Sequence, residues 1–183
     1  MRFVLIDRIL DIQPGKSIDA IKNLSLAEEY LADHFPGFPV MPGVLMLEAL
    51  TQTGAWLIRD MEDFAHSVIV LKSAKTIKYG SFVEPGRQLQ LRVELVEHGP
   101  HETVLKGQGS VENQVVVKGR ITLARWNLRD KNPALHPTDT SIVEHLRDLY
   151  ATLRKGSVGS KAMVRTSHGE VHPALAAIPG YPA

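Results

Sequence analysis

His34-Phe-Pro-Gly-Phe-Pro-Val-Met-Pro-Gly43-Val-Leu-Met-Leu-Glu48-Ala-Leu-Thr-Gln52-Thr-Gly-Ala-Trp-Leu-Ile-Arg59 is the stretch on which the fold turns. Its first part carries Pro36, Pro39 and Pro42 at every third position, with Gly37 and Gly43 among them. Proline fixes φ, removes an amide donor and restricts the residue before it, so an extended loop is expected over 34–43. Residues 44–58 are apolar round nearly the whole helical circumference, which predicts a helix surrounded on several sides by core.

Glu48 is the only charged residue between His34 and Arg59, one turn into that helix. A buried carboxylate is costly unless paired or protonated. Gln52 lies four residues on, on the same helical face, in reach to hold the carboxyl in one orientation. A core glutamate satisfied by a backbone or arginine partner is the plainer reading of such a residue in isolation. With His34 at the mouth of the same segment, the balance moves toward chemistry.

These residues resemble the signature of FabZ-type (3R)-hydroxyacyl-acyl carrier protein dehydratases, enzymes with the hotdog fold. The related FabA type carries Asp at the position of Glu48, so Glu48 is nearer the FabZ branch. The likeness extends through Phe3 to Arg8, Pro14-Gly-Lys16 and Ile21-Lys-Asn23 upstream and Val83-Glu-Pro-Gly86 downstream, covering about residues 3–126. It implies dehydration of (3R)-hydroxyacyl-acyl carrier protein to the trans-2-enoyl product, in fatty acid or related lipid or polyketide biosynthesis. It also implies a homodimer, often assembled further into a trimer of dimers, with each site taking its His from one subunit and its acid from the other. Two departures stand out. A Pro-His-Arg-Tyr-Pro segment usual before Phe3 is missing, and Arg87 follows Pro-Gly where many members have an acid; both bear on chain-length and carrier preference.

At 183 residues the chain suits one domain with an appendage, and 44% apolar with 22% charged residues is a globular composition. A net charge of +1 argues against a polyanion-binding surface, so no nucleic-acid partner is expected. The absence of cysteine excludes disulfides and thiolate metal sites. The apolar run 3–6 is too short for a signal peptide and no stretch reaches membrane-spanning length, so a cytoplasmic protein without a membrane span is expected.

Strands are expected over 2–12 and 17–24 about the Pro14-Gly15 turn, and a helical turn over 26–31 with Ser25 and Glu28 as its capping box. The next strand begins over 68–71 and continues irregularly over 75–83, with a bulge at Gly80. The clearest alternation is Leu89, Leu91, Val93 and Leu95, followed by turns at 98–101 and 112–114 that separate two more strands. A meander with one apolar face needs a cover, and the 44–58 helix is the one element apolar enough. The result is an α+β hotdog layout: an antiparallel sheet wrapped around a central helix.

The hotdog domain is expected over 1–129, a helical extension over 130–156 and a mobile tail over 157–183. An amphipathic helix is predicted over 138–155, with Ile142, Val143, Leu146, Leu149, Tyr150 and Leu153 on one stripe, Ser141 and Glu144 as a capping box and Gly156 as its stop. An isolated helix of that length is marginal in water, so it must dock on the body or on a partner chain.

Dehydrating a 3-hydroxyacyl thioester requires removing a C2 proton, protonating the departing C3 hydroxyl and stabilising charge on the thioester oxygen. His34 suits the base, and Glu48 the acid that donates to the hydroxyl or orients it through water. The Gly43 N–H, at the open start of a helix, suits the carbonyl oxygen. The resemblance implies the same roles at these positions, with Gln52 in support. His98 with His101, and His168 with His172, lack a third ligand at motif spacing, so no metal is expected, and no phosphate loop calls for a nucleotide cofactor. Lys72, Lys75, Lys78, Arg87 and Arg92 form either a rim for an acidic acyl carrier protein or ordinary solvated strand faces. Phe35, Phe38, Met41, Met46 and Trp56 are expected in the core in part, some of them lining an acyl tunnel. A non-catalytic acyl-binding or scaffold protein, and a hotdog thioesterase, are the alternative functions.

Overall fold

The computed structural model describes residues 4–35 and 37–155, with the side chain of Asp33 excepted. Strands β1 (Arg8–Gln13) and β2 (Ser17–Asn23) pair antiparallel across a turn in which Gly15 takes φ +71°, a left-handed value that glycine adopts at no steric cost. After the short helix α1 (Tyr30–Asp33) and the central helix α2 (Gly43–Met61) come β3 (Val68–Tyr79), β4 (Gln88–His98), β5 (Glu102–Val111) and β6 (Gln114–Trp126). The six strands form one sheet in the order β1-β2-β4-β5-β6-β3, all pairs antiparallel, with β1 and β3 at its edges. This is the expected α+β hotdog arrangement.

Alternation places Leu89, Leu91 and Val93 of β4, and Leu105 of β5, on the inner face, all nearly inaccessible. The β5–β6 hairpin closes on Glu112 and Asn113, both at positive φ, the two-residue turn whose twist matches its strands. Helix α2, 19 residues and about 28 Å long, lies across this face. Its approach to β5 depends on two glycines: a Cβ on Gly54 would lie 2.5 Å from Leu105 Cδ1, and one on Gly107 would lie 3.2 Å from Leu50.

Two local expectations, the early helix and the Gly80 bulge, fail for identifiable reasons. The early helix is at Tyr30–Asp33, not 26–31, because Glu28 is engaged elsewhere: it accepts from the buried Lys22 ammonium at 2.6 Å, while the Ser25 hydroxyl accepts only from the Ala27 amide. The strand expected to begin over 68–71 and continue irregularly over 75–83 is a single 12-residue strand ending at Tyr79, its register shifting near Ser73 and Thr76, the latter at φ +53°. Gly80 is no bulge, since it follows the strand where a Cβ would strike the Val115 carbonyl at 2.7 Å. Helix α2 is covered on several sides over 49–58, as expected, while nearer its start Val44 is 70% exposed and Glu48 only half-buried.

Helix α3 (His136–Leu153) starts earlier than expected and has no Ser141–Glu144 box. Asp139 anchors its first turn instead, accepting from the Ser67 hydroxyl and from the amides of Leu128 and Arg129 at 2.9 Å each. Gly156 and the expected tail lie outside the described residues. The stripe packs on the body: Leu153 is buried, and Tyr150 stacks on Trp56 at 5.7 Å, meets Phe64 edge-on and donates its hydroxyl to Asp60. Burial and that carboxylate push the Tyr150 pKa up, so the phenol remains a donor across the working pH range.

Burial alone would raise the Asp139 pKa, but hydrogen bonds from Ser67, Arg129 and Leu128, with the Arg129 charge, outweigh it and hold the carboxyl below the usual range. A depressed folded-state pKa gives stability that is present above the unfolded value, near 3.9, and lost as pH falls through the folded one. Asp139→Ala is therefore expected to melt lower than the wild type by a margin that is constant from about pH 7 to pH 5 and shrinks below about pH 4. Thermal melts of both proteins across that range check it.

Candidate functional site

The loop that delivers His34 is held by turn chemistry. Its backbone leaves α1 extended (φ −106°, ψ 105°), and Phe35 follows at φ +54°, a strained value for a side chain with a Cβ. The Phe38 amide donates to the Phe35 carbonyl at 2.8 Å, and Gly37 at φ +93° supplies the left-handed position that a Pro-Gly turn requires. The Met41 amide then donates to the Val83 carbonyl at 2.9 Å, tying the loop to the segment after β3.

Pro42 is the N-cap of α2, and its carbonyl accepts from Leu45 and Met46, leaving the Gly43 and Val44 amides without an acceptor one turn back in the helix. A helix start of this kind favours partial negative charge. Gly43 is also where the Tyr79 ring comes closest: a Cβ there would lie 3.1 Å from Tyr79 Cε1. The half-buried His34, Gly43, Met46, Tyr79 and Phe82 line one cavity of about 240 Å³.

Glu48 and Gln52 line a different one, of about 160 Å³, on the other side of α2. The Gln52 amide donates to Glu48 Oε1 at 3.0 Å, while its own carbonyl oxygen accepts from the Leu5 amide at 2.9 Å, so the carboxyl is tied through Gln52 to the chain before β1. Within one chain, then, the structure brings His34 together with Gly43, and Glu48 together with Gln52. It does not bring His34 and Glu48 into one cavity.

Sequence reading missed Tyr79 and Phe82 beside His34, and Arg59, Leu146 and Leu149 beside Glu48. Tyr79 lies beyond two irregularities of β3, which erase the alternation that would have shown its direction. Of the five side chains expected in the core in part, Met41, Met46 and Trp56 are buried, whereas Phe35 and Phe38 are about half exposed.

The basic cluster resolves into two groups. Lys72 pairs with Glu102, Arg87 with Glu112, and Arg92 with Asp19 and Glu94. Lys75 and Lys106 are both register partners of Arg120, and Lys78 is the partner of Lys118, so five exposed cations share one outer patch of β3, β5 and β6. Like charges in direct opposition are destabilising unless an anion meets them. Among the described residues no group of three or more His, Asp or Glu could hold a metal ion. His98 instead lies 3.2 Å from Glu62 in a polar cluster with Arg125 and Thr103. His168 and His172 lie outside the described residues.

A family model described as a FabA-like domain matches residues 1–120. A 3-hydroxyacyl-acyl-carrier-protein dehydratase FabZ from Oceanobacillus iheyensis is 39% identical over 125 residues, 67% of this chain and 87% of that protein. Another of the same name, from Albidiferax ferrireducens, is 42% identical over 125 residues, 67% of this chain and 83% of its own length. Among solved structures, the dehydratase heterocomplex ApeI:P from Xenorhabdus doucetiae superimposes with a TM-score of 0.58 at 16% identity, covering 73% of this chain and 90% of that one, a likeness of fold.

Proposed function

Because this chain belongs to the FabA-like family, in its FabZ branch, we propose that it is an enzyme that dehydrates (3R)-hydroxyacyl-acyl carrier protein, with His34, Glu48 and Gly43 as its working groups. One ring nitrogen of His34 takes the C2 proton. The electron pair left behind forms the C2–C3 double bond as the C3–O bond breaks, and the Glu48 carboxyl gives its proton to the departing oxygen, which leaves as water. Negative charge that builds on the thioester oxygen is met by the Gly43 N–H at the positive end of α2. The cycle closes when the proton on His34 returns to Glu48 through solvent. Gln52, hydrogen-bonded to Glu48 Oε1, fixes which oxygen faces the substrate.

The observation that carries this reading is the division of the groups between two cavities on one chain: base and oxyanion donor in one, acid and its orienting amide in the other. A two-fold dimer completes two such sites by setting each His34 cavity against the Glu48 of the other subunit. Support for a partner on this side comes from apolar surface left open along it: Val44, Tyr79 and Phe82 are each half exposed or more, and among the described residues β3 is an edge of the sheet. Two edge strands pairing across such a dimer continue the sheet, and dimers assemble further into a trimer of dimers.

For the carrier, the patch of Lys75, Lys78, Lys106, Lys118 and Arg120 suits an acidic docking face, and Lys78 adjoins Tyr79 at the wall of the His34 cavity. Steady-state assay with a 3-hydroxyacyl-carrier-protein thioester tests the activity: enoyl product is expected, and none at high enzyme concentration overturns the proposal. Lys75→Glu with Lys118→Glu should raise KM for the carrier-bound substrate about tenfold or more and leave KM for an N-acetylcysteamine thioester within about twofold, because only the former presents an acidic surface.

A further inference from the structure

Helix α3 lies outside residues 1–120 that match the FabA-like model, yet it forms one wall of the cavity that holds Glu48. Glu48, Gln52, Ala55 and Arg59 are spaced four, three and four residues apart, which puts them on one stripe of α2 along that cavity. Three helical turns separate Glu48 from Arg59, about 16 Å at the α-helical rise. At the Arg59 end, Leu146 and Leu149 of α3 close in beside Trp56. Their position is set firmly: Tyr150 stacks on Trp56, and Arg147 donates to Asp63 at 2.9 Å while its guanidinium lies 4.6 Å from the Phe64 ring centre.

Arg59 itself has an unusual setting. Its guanidinium lies 5.1 Å from the centre of the Trp56 ring, and its Nε is buried with no hydrogen-bond partner among the described residues. Burial lowers its pKa to about 10, which still leaves it charged at neutral pH. The cavity therefore begins at a carboxyl and ends at a cation flanked by two leucines.

We propose that α3 and Arg59 together form a stop for the acyl chain, which restricts the enzyme to 3-hydroxyacyl thioesters of no more than about fifteen carbons. The inference rests on Glu48 acting at C3 as proposed above. With its C3 hydroxyl at Glu48, an acyl tail runs along the stripe toward Arg59. An extended chain advances about 1.2 Å per bond, so the 16 Å stripe accepts at most about a dozen further atoms. A longer tail has to displace Leu146 and Leu149, or cover the guanidinium with methylenes that offer it no hydrogen bond.

The test is the ratio of kcat/KM on a sixteen-carbon to that on a four-carbon 3-hydroxyacyl-carrier-protein thioester, measured with the full chain. Wild type is expected to favour the four-carbon substrate. Leu149→Ala should raise the long-to-short ratio by about tenfold or more, the effect of one or two methylenes of apolar room. Leu149→Phe keeps the docking face apolar and should lower the ratio, which preserves the test if the alanine variant does not fold. An unchanged ratio in a folded variant of either kind, with four-carbon substrate still dehydrated, overturns the stop and leaves the dehydratase reading intact. No enoyl product from wild type with either substrate overturns the dehydratase reading itself.

Discussion

Replacing either His34 or Glu48 by alanine is expected to lower kcat/KM for the hydroxyacyl thioester by about 10²- to 10⁴-fold, the range over which a positioned acid or base accelerates proton transfer. Stability should change little. The His34 ring is half-buried and meets Phe35 at 4.3 Å, and Glu48 faces a cavity with Gln52 as its hydrogen-bond partner, so neither truncation opens a hole in the core. Glu48→Gln keeps the shape and the bond to Gln52 but cannot cycle a proton, and it should be nearly as inactive as the alanine variant. Rates with melting curves on the same preparations separate loss of chemistry from loss of fold.

The largest expected effect on stability lies elsewhere, at Arg125. Its side chain is nearly inaccessible, yet it connects three parts of the fold. Nε lies 2.6 Å from Glu62 Oε1 just past the end of α2, as an ion pair outside hydrogen-bond alignment, and Nη1 donates to the Thr103 hydroxyl at 2.9 Å. Nη2 donates to the Gly99 carbonyl in the β4–β5 turn. Arg125→Met fills much of the same volume but leaves Glu62 without its strongest partner and strands the turn carbonyl. Breaking a buried pair on one side costs about 3–5 kcal/mol, which lowers Tm on the order of 10 °C for a chain this long. Adding Glu62→Gln to Arg125→Met should recover part of the loss, since the second change removes the uncompensated charge. A double variant that melts below the single one would count against the ion pair as the cause.

How far these features could be read from residues alone varied with the physics involved. The loop and central helix were legible because proline, glycine and an apolar run act locally: Pro42 ends the loop and α2 starts at Gly43. Alternation along β4 was equally direct, with Leu89, Leu91 and Val93 buried as their period of two requires. Local rules failed where a side chain was drawn to a partner outside its own helix. Glu28 serves the buried Lys22 instead of a helix start, and Asp139 serves Ser67, 72 residues away in sequence, instead of leaving the cap to Ser141 and Glu144.

The candidate site was legible as a set of residues and illegible as a geometry. A His before the loop and a Glu four residues beyond Val44 announce acid–base chemistry, and the Gln52 hydrogen bond to Glu48 follows from helical spacing. Which side of α2 faces which cavity depends on where the sheet covers the helix, and a count of fourteen residues between His34 and Glu48 does not carry that information. Arg59, Leu146 and Leu149 were hidden for a similar reason, since the wall they form exists only once α3 folds back over the second half of α2.

The division of His34 and Glu48 between separate cavities of one chain makes the shared site the central claim, and mixing two inactive variants tests it most directly. His34→Ala and Glu48→Ala are unfolded together in equal amounts and allowed to reassemble. In a two-fold dimer each hybrid has one site with an intact His and an intact Glu, and a second site with neither. Random pairing makes half the dimers hybrid and half of their sites whole, so the mixture should recover about a quarter of wild-type activity. Each variant refolded alone should stay inactive. A mixture no more active than the separate variants, although size measurements show that the subunits have exchanged, would mean that each site is built within one chain and would contradict the account.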